Sequence, residues 1–319
     1  MNSNLLSTSL LQKCKEKLYN HQIPFREKLI LSSFCPFTIG GESPLIIEPQ
    51  NNEHLYETLV LLKTEALPYK ILGGGSNLLI SDHPDDFITL FLGGQFKEYQ
   101  QEEDSGFYIG SSCNTTPTFR KIALQGYTGG EFLSTIPGKI GGAVVQNAGC
   151  YGGELFDFIE YVDVFLDTTW QRIHKDKIKF GYRYTEFLEN KNCIITGIKI
   201  KFSPGNLADI QESLKEKRER RNSSQPANKR SAGSIFKNPK GQDNDGTPLK
   251  SWKLIDRVGL RGQSKGDALL SPEHCNFIVN TGQAKAVDVD YLIRLAREKV
   301  EKQSGIVLEQ EVEYFGTIP

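Results

Sequence analysis

The sequence predicts an α+β protein of two or three domains. Three observations carry this. The chain has 319 residues, long enough for two or three domains of ordinary size, each with its own core. Between Leu45 and Leu72 it reads strand, helix, strand, the order of a small α/β layer. From Ile159 onward, alternating apolar segments take over, the mark of half-buried strands.

Taken in order, Leu6, Leu10, Cys14 and Leu18 recur at helical spacing, which predicts an amphipathic helix from about Leu5 to Tyr19. A loop holding Pro24 and Pro36 leads to Thr38-Ile39-Gly40-Gly41 and an apolar strand from Leu45 to Ile47. Asn51 or Asn52 suits the cap of a helix running to about Glu65, with Leu55, Leu59 and Leu62 on one face. Tyr69 to Leu72 is a second strand, ending in Gly73-Gly74-Gly75-Ser76-Asn77 before the apolar run Leu78 to Ile80. Ligands of open α/β sheets collect at such strand ends.

Phe87 to Leu92 and Phe107 to Gly110 read as strands, and Thr115 or Thr116 with Pro117 starts a helix to about Leu124. Ile159 to Leu166 and Cys193 to Phe202 alternate. In the second, Ile194, Thr196, Ile198 and Ile200 share one side, and Ile195, Gly197, Lys199 and Lys201 the other. Pro204-Gly205-Asn206 marks a boundary before a charged helix from about Leu207 to Arg221. Its signs alternate and Glu216 stands four before Arg220, which describes a solvated face better than an anion-binding patch. Beyond the polar loop Ser231 to Pro239 come a short helix Trp252 to Val258, a strand Asn276 to Asn280, a long helix from about Asp288 to Gly305, and a final strand Ile306 to Phe315.

Bulk properties exclude several classes. A formal net charge of −1 gives no electrostatic footprint for nucleic acid or an anionic membrane. No apolar run is long enough to span a bilayer, and the first twenty residues are unlike a signal peptide, so a soluble cytoplasmic chain is expected. Cys14, Cys35, Cys113, Cys150, Cys193 and Cys275 show no metal or disulfide spacing and read as reduced, mostly buried thiols. No metal is expected, and the chain is expected to act as a monomer.

The stretch Gly126 to Gly153 holds nine glycines in twenty-eight residues yet keeps Phe132, Leu133, Ile136, Ile140, Val144 and Val145, so it is an ordered loop assembly and not a linker. It is either a set of tight turns or a cradle where a phosphate-bearing ligand approaches bare main chain. Neither glycine-rich segment matches a common nucleotide motif. The dinucleotide fingerprint needs a glycine where Leu78 stands, and Gly138-Lys139 is followed by Ile140 and preceded, five residues earlier, by Leu133.

Three polar constellations lie outside these loops. Phe180-Gly181-Tyr182-Arg183-Tyr184-Thr185 places an arginine among rings, either to cover apolar surface with its stem or to act with its charge. Ser231-Ala232-Gly233-Ser234-Ile235-Phe236-Lys237-Asn238-Pro239 is a turn, or presents a serine hydroxyl to a pocket with Lys237 and Asn238 toward an anionic or sugar-like ligand. On the last strand, alternation sets Ile306, Leu308, Val312 and Tyr314 against Glu309, Glu311 and Glu313, and periodicity does not single out one glutamate. No Ser/His/Asp hydrolase signature is present: Ser134 is not in a GxSxG elbow.

Five segments in this order resemble the UDP-N-acetylenolpyruvoylglucosamine reductases: LGGGSNLLISD at 72 to 82, GGEFLSTIPGKIGGAVVQNAGCYGGE at 129 to 154, FGYRYTEF at 180 to 187, SAGSIFKNP at 231 to 239 and LEQEVEYFG at 308 to 316. The resemblance runs from about Thr38 to Gly316. It implies a vanillyl-alcohol-oxidase type FAD-binding fold of two α/β subdomains, 1–84 and 85–205, and a C-terminal α+β substrate domain, 206–319, whose last strand returns to the active site. Gly73, Gly74, Gly75, Ser76, Asn77 and Leu78 on one loop, and Ile136, Pro137, Gly138, Gly141, Gly142, Asn147, Ala148 and Gly149 on the other, would hold FAD non-covalently.

The implied reaction uses NADPH, through FAD, to reduce UDP-N-acetylglucosamine enolpyruvate to UDP-N-acetylmuramate, for peptidoglycan precursor synthesis. By match of motif Ser234 is the proton donor, Arg183 and Glu311 assist around the developing enolate, and Tyr182, Lys237 and Asn238 contact substrate. Two departures stand out. The segment after Arg183 is short, like the branch of the family without an extra tyrosine loop, and Cys150 stands where a small residue is usual. Two rival readings are a flavin oxidase of the same fold, which has no need of SAGSIFKNP or the terminal glutamate, and a non-catalytic nucleotide-binding module.

Overall fold

The leucine periodicity near the N-terminus folds as α1, Thr8–Asn20, capped by the Ser7 hydroxyl, which accepts from the Leu10 N–H, with Cys14 and Leu18 buried. Leu5, its expected first residue, lies outside the described residues. The computed structural model describes residues 6–84, 86–103, 105–190, 192–243 and 245–319. The chain forms two units: the first comprises Met1–Leu29, Pro44–Gly74 and Asp86–Glu219, the second Ile30–Ser43, Gly75–Asp85 and Arg220–Pro319.

The first unit holds two apolar cores. In one, α1 and α2 (Asn52–Thr64) cover a sheet in which Glu42–Ile47, Ile88–Leu90 and Tyr69–Ile71 run parallel, with Ile46 beside Thr89 and Tyr69 beside Ile88. Asn51 caps α2 by accepting from the His54 N–H at 2.8 Å. The other core lies against an antiparallel sheet of five strands in the order Thr169–His174, Ile159–Leu166, Cys193–Lys201, Gly106–Gly110, Tyr99–Gln101. Helices α3 (Thr115–Leu124) and α4 (Ile140–Val145) supply Phe119, Ile122, Ile140 and Val144 to it.

One sequence expectation changes here. Cys193–Lys201 is not half-buried along its length, because Ile194 joins the first core while Ile195, Ile198 and Ile200 join the second, and the Tyr108 ring lies over Gly197. A strand shared by two cores has no solvated face until Lys199. The charged helix α5, Leu207–Ser224, behaves as its composition requires, with Ile210 its buried residue. The division between units falls within it, between Glu219 and Arg220.

In the second unit an antiparallel sheet ordered Ser231–Ser234, Phe277–Asn280, Ala268–Leu270, Ser264–Lys265 packs with α7 (Ala286–Ser304), which also meets α6 (Ser251–Arg257). Gly305, at φ 71°, ends α7 with its N–H on the Glu301 carbonyl. Two expectations are corrected. The first half of the polar loop 231–239 is a strand, hidden from sequence by a bulge at Gly233, whose φ of 78° breaks the alternation. The predicted last strand contracts to Glu313–Phe315, paired in parallel with Leu78–Ile80. Before it, residues 306–312 meet the segment 235–237, just past the strand Ser231–Ser234, through a bridge of Gln310 to Phe236, with the Lys237 N–H on the Glu309 carbonyl and the Glu311 and Val312 N–H groups both on the Ile235 carbonyl.

Candidate active site

Gly74 and Gly138, both of the first unit, meet through bare main chain. A Cβ on Gly74 would lie 2.8 Å from Gly138 Cα and 3.1 Å from its carbonyl carbon. Gly138 itself stands at φ 111°. Its loop is laced to the segment 111–115: the Thr115 N–H donates to the Gly138 carbonyl at 3.0 Å, that of Ile140 to Cys113 at 3.0 Å, and that of Gly141 to Ser111 at 2.8 Å. By contrast, a Cβ on Gly73 or Gly142 would meet nothing within 4 Å. Ile136 is half-buried and Pro137 exposed beside them.

These residues fit a diphosphate-bearing cofactor such as FAD. Neither 73–78 nor 136–149 contains an acidic side chain, and their one charged group is the Lys139 ammonium, so main-chain N–H groups and a cation are on offer to an anion there. The Ser111 and Thr115 hydroxyls, next to the second loop, are buried without a protein partner. Lys139 Nζ sits 4.0 Å from the centre of the Phe91 ring. Burial, and then the charge of Lys97, pushes this ammonium down to about 8.

Arg183 occupies a two-residue hairpin turn of the same unit. Phe180 pairs with Thr185 and Gly181 with Tyr184, leaving Tyr182 and Arg183 at the tip. Arg183 is left-handed, at φ 53°, a conformation that costs a non-glycine residue about 1–2 kcal/mol. Its guanidinium donates to the Gly149 carbonyl at 2.5 Å and lies 5.2 Å from the Tyr182 ring centre. A positive φ is what a tight two-residue hairpin asks of its tip residues, and here an arginine meets that requirement.

Asn147, expected among the cofactor contacts, is fully buried. Its Nδ2 donates to the Gly181 carbonyl at 2.9 Å and to Glu154 Oε2 at 2.7 Å, and its Oδ1 accepts from the Phe156 N–H. Any part it takes in holding a flavin falls to its main chain. Ala148 donates its own N–H to the Ala143 carbonyl, and Gly149 pairs with Glu154.

The second unit gathers the other candidates around the returning C-terminal segment. The Glu311 N–H donates to the Ile235 carbonyl at 2.7 Å, next to Ser234, while Asn77 Nδ2 donates to the Glu311 carbonyl at 2.9 Å. The Glu313 N–H returns a bond to the Asn77 carbonyl. Ser76 joins them: its carbonyl lies 3.8 Å from where a Gly233 Cβ would stand. Thus Ser234, Glu311, Ser76 and Asn77 are brought together, with Leu78 opening the strand that pairs with Glu313. Gly75, at φ 61°, packs so tightly on Cys35 that a Cβ would come within 2.5 Å of it.

Lys237 Nζ pairs with Glu309 at 2.6 Å. Asn238 Oδ1 accepts from the Ser251 N–H at the start of α6, so that oxygen holds the fold. Sequence reasoning passed over Ser111, Thr115 as a hydroxyl donor, and Lys139. A serine directly after a strand end, as at Gly110-Ser111, was the available signal. The Cys150 thiol lies 3.6 Å from the Phe132 carbonyl, against the second core. Four of the six free cysteines are buried, and burial pushes the Cys14 and Cys275 thiols up to about 11 and Cys193 to about 12.

Comparison with known proteins agrees with this layout. A family model for an FAD binding domain matches residues 43–169, and one for the C-terminal domain of UDP-N-acetylenolpyruvoylglucosamine reductase matches residues 225–315. The chain is 56% identical over 318 residues to the UDP-N-acetylenolpyruvoylglucosamine reductase of Leptospira interrogans, covering 99% of this chain and 100% of that one. It is 34% identical to the enzyme of the same name from Granulibacter bethesdensis, over 88% of this chain and 87% of that one. The crystal structure of UDP-N-acetylenolpyruvylglucosamine reductase from Thermus caldophilus superposes with a TM-score of 0.77 at 32% identity, covering 92% of this chain and 99% of that one. The α+β flavoprotein fold expected from the sequence is therefore the fold observed, and the chain belongs to the UDP-N-acetylenolpyruvoylglucosamine reductase family.

Proposed function

We propose that this chain reduces the enolpyruvyl group of UDP-N-acetylglucosamine enolpyruvate with NADPH, giving UDP-N-acetylmuramate for peptidoglycan precursors, as a cytoplasmic monomer. The observation that carries the reading is the bare main-chain cradle at Gly74 and Gly138, lying inside the span shared with FAD-binding domains. Residues 1–84 and 85–205 serve the cofactor and 206–319 the substrate. Among the described residues no helix is long and apolar enough to cross a membrane, and no group of three or more side chains is arranged to hold a metal ion.

FAD, when bound, supplies the hydride that originates on NADPH. The chain's own residues do the rest. Gly73, Gly74, Gly138, Gly141 and Gly142 offer main chain to the diphosphate. Arg183 faces the substrate carboxylate, where negative charge accumulates as the double bond is reduced, so its guanidinium stabilises the transition state more than the ground state. Ser234 gives its hydroxyl proton to the carbon next to the one reduced. Glu311 orients that hydroxyl or donates as a protonated carboxyl. Tyr182, Lys237 and Asn238 contact the substrate.

Purified protein should be yellow, should consume one equivalent of NADPH per flavin without substrate, and should sustain anaerobic NADPH oxidation only when the enolpyruvyl substrate is present. A colourless protein that fails to take up FAD sinks the reading. Rapid NADPH-independent turnover of a small alcohol with O₂ would favour the oxidase reading instead.

A further inference from the structure

We propose that Asn147 is the positioning residue for Arg183. This rests on the reading of Arg183 as a catalytic residue. A two-residue hairpin of two short strands has little stability of its own, and its tip places an arginine in a left-handed conformation that arginine does not favour. Something must hold it, and the structure shows what does.

The Asn147 amide donates at 2.9 Å to the carbonyl of Gly181, two residues before Arg183, and at 2.7 Å to Glu154. Its oxygen accepts from Phe156 at 3.2 Å, so all three bonds fix the direction of one buried side chain. On the other strand, Thr185 Oγ1 donates to the Val145 carbonyl at 2.7 Å, two residues before Asn147. The guanidinium then reaches the carbonyl of Gly149, two residues after it. The segment 145–149 therefore grips the hairpin at both strands and at the arginine head.

Asparagine suits the position for two reasons. It tolerates the φ of 41° found there, and its amide gives a carbonyl and a carboxylate the donors they need in a fully buried place. Aspartate would turn a donor into a charge facing Glu154. Alanine would leave the Gly181 carbonyl without that donor and the hairpin free to shift. Misplacing a catalytic group by about 1 Å is enough to slow a reaction by up to about a hundredfold.

The test uses the FAD-loaded wild type, Asn147→Ala, Arg183→Ala and the double variant, following anaerobically the reduction of flavin by NADPH and its reoxidation by the enolpyruvyl substrate. Asn147→Ala is expected to slow reoxidation by about ten- to a hundredfold while flavin reduction stays within about threefold. In the double variant reoxidation should match Arg183→Ala alone, because a residue acting through Arg183 has nothing left to act on. Amide hydrogen exchange in the flavin-free protein gives a second readout: protection should fall in 180–185 and hold in the strand Ile159–Leu166. Should Asn147→Ala not fold, Asn147→Ser leaves a smaller gap, adds no charge beside Glu154 and carries the same expectations.

Normal reoxidation in the Asn147 variant, or effects that multiply in the double variant, would overturn the proposal while Arg183→Ala remains slow. A wild-type rate in Arg183→Ala would overturn the catalytic reading itself, and the positioning proposal with it.

Discussion

Gly74 rests on Gly138 with no room for a methyl group between them: the nearest main-chain atom would lie 2.8 Å from an added Cβ. Two glycine-rich loops that are far apart in sequence are thereby locked at one separation. Gly74→Ala must move main chain, because the obstruction is Gly138 Cα and not the end of a flexible side chain. The expected result is protein purified with little or no flavin and a Kd for FAD raised at least about tenfold, read by fluorescence quenching on titration. Full flavin content would show that the contact does not set the cradle.

Gly142→Ala makes a contrasting prediction. A Cβ there meets nothing in the protein, and the residue lies within α4, where alanine is favoured over glycine by about 1 kcal/mol. The flavin-free variant should therefore unfold at a higher denaturant concentration than the wild type. If the open space is the cofactor's, FAD affinity should fall in the same variant. Gain of stability without loss of affinity would place the flavin elsewhere.

Ser234→Ala should leave flavin reduction by NADPH near the wild-type rate and slow the reoxidation by substrate by about two to four orders of magnitude, the range for removing a general acid. Rapid-mixing absorbance separates the halves. Equal losses in both would argue against a proton donor and for a general disturbance of the bulged strand at Gly233.

Lys139 gives a pH dependence. Its ammonium is lowered from 10.5 to about 8, first by burial and then by Lys97. Below about 8 the folded and unfolded chains both carry the proton, and the folded one bears the penalty of burying it. Between about 8 and 10.5 the folded chain releases the proton while the unfolded chain keeps it, so this contribution to stability rises with pH. Flavin-free Lys139→Met should thus be more stable than the wild type near neutral pH, with the gap closing through that window. A gap independent of pH, in paired denaturation curves, would refute the assignment.

Much of this was readable from residue order. Gly305 ends α7 because glycine alone takes the left-handed cap cheaply, and Asn51 caps α2 because its side chain can accept from the main chain. The glycine loops were legible as a pair, but their contact was not, since nothing in either segment encodes which glycine meets which. The strand Ser231–Ser234 was hidden by the bulge at Gly233, and the role of Asn147 by burial: an asparagine beside a glycine loop reads the same whether it faces a ligand or a hairpin. Periodicity placed Leu308 and Val312 inside and Glu309 outside correctly, while overstating the length of the strand, because side-chain alternation does not report whether a neighbouring strand is there to pair with.

The pairing of Lys237 with Glu309 bears on substrate affinity. The lysine side chain is 14% exposed and the glutamate 72%, so solvent screens the pair from the glutamate side and it contributes at most about 1 kcal/mol. A substrate phosphate that uses Lys237 has to displace the Glu309 carboxylate first. Glu309→Gln removes that competitor and leaves the Lys237 N–H bond to the Glu309 main-chain carbonyl available. KM for the enolpyruvyl substrate should fall by about two- to fivefold with kcat unchanged, matching the small worth of an exposed pair. Lys237→Met should raise KM, and Glu309→Gln in that background should have no further effect. Initial rates over a range of substrate concentrations decide the matter: an unchanged or raised KM in Glu309→Gln means that the carboxylate does not compete with substrate and that Lys237 serves the fold through its pairing with Glu309.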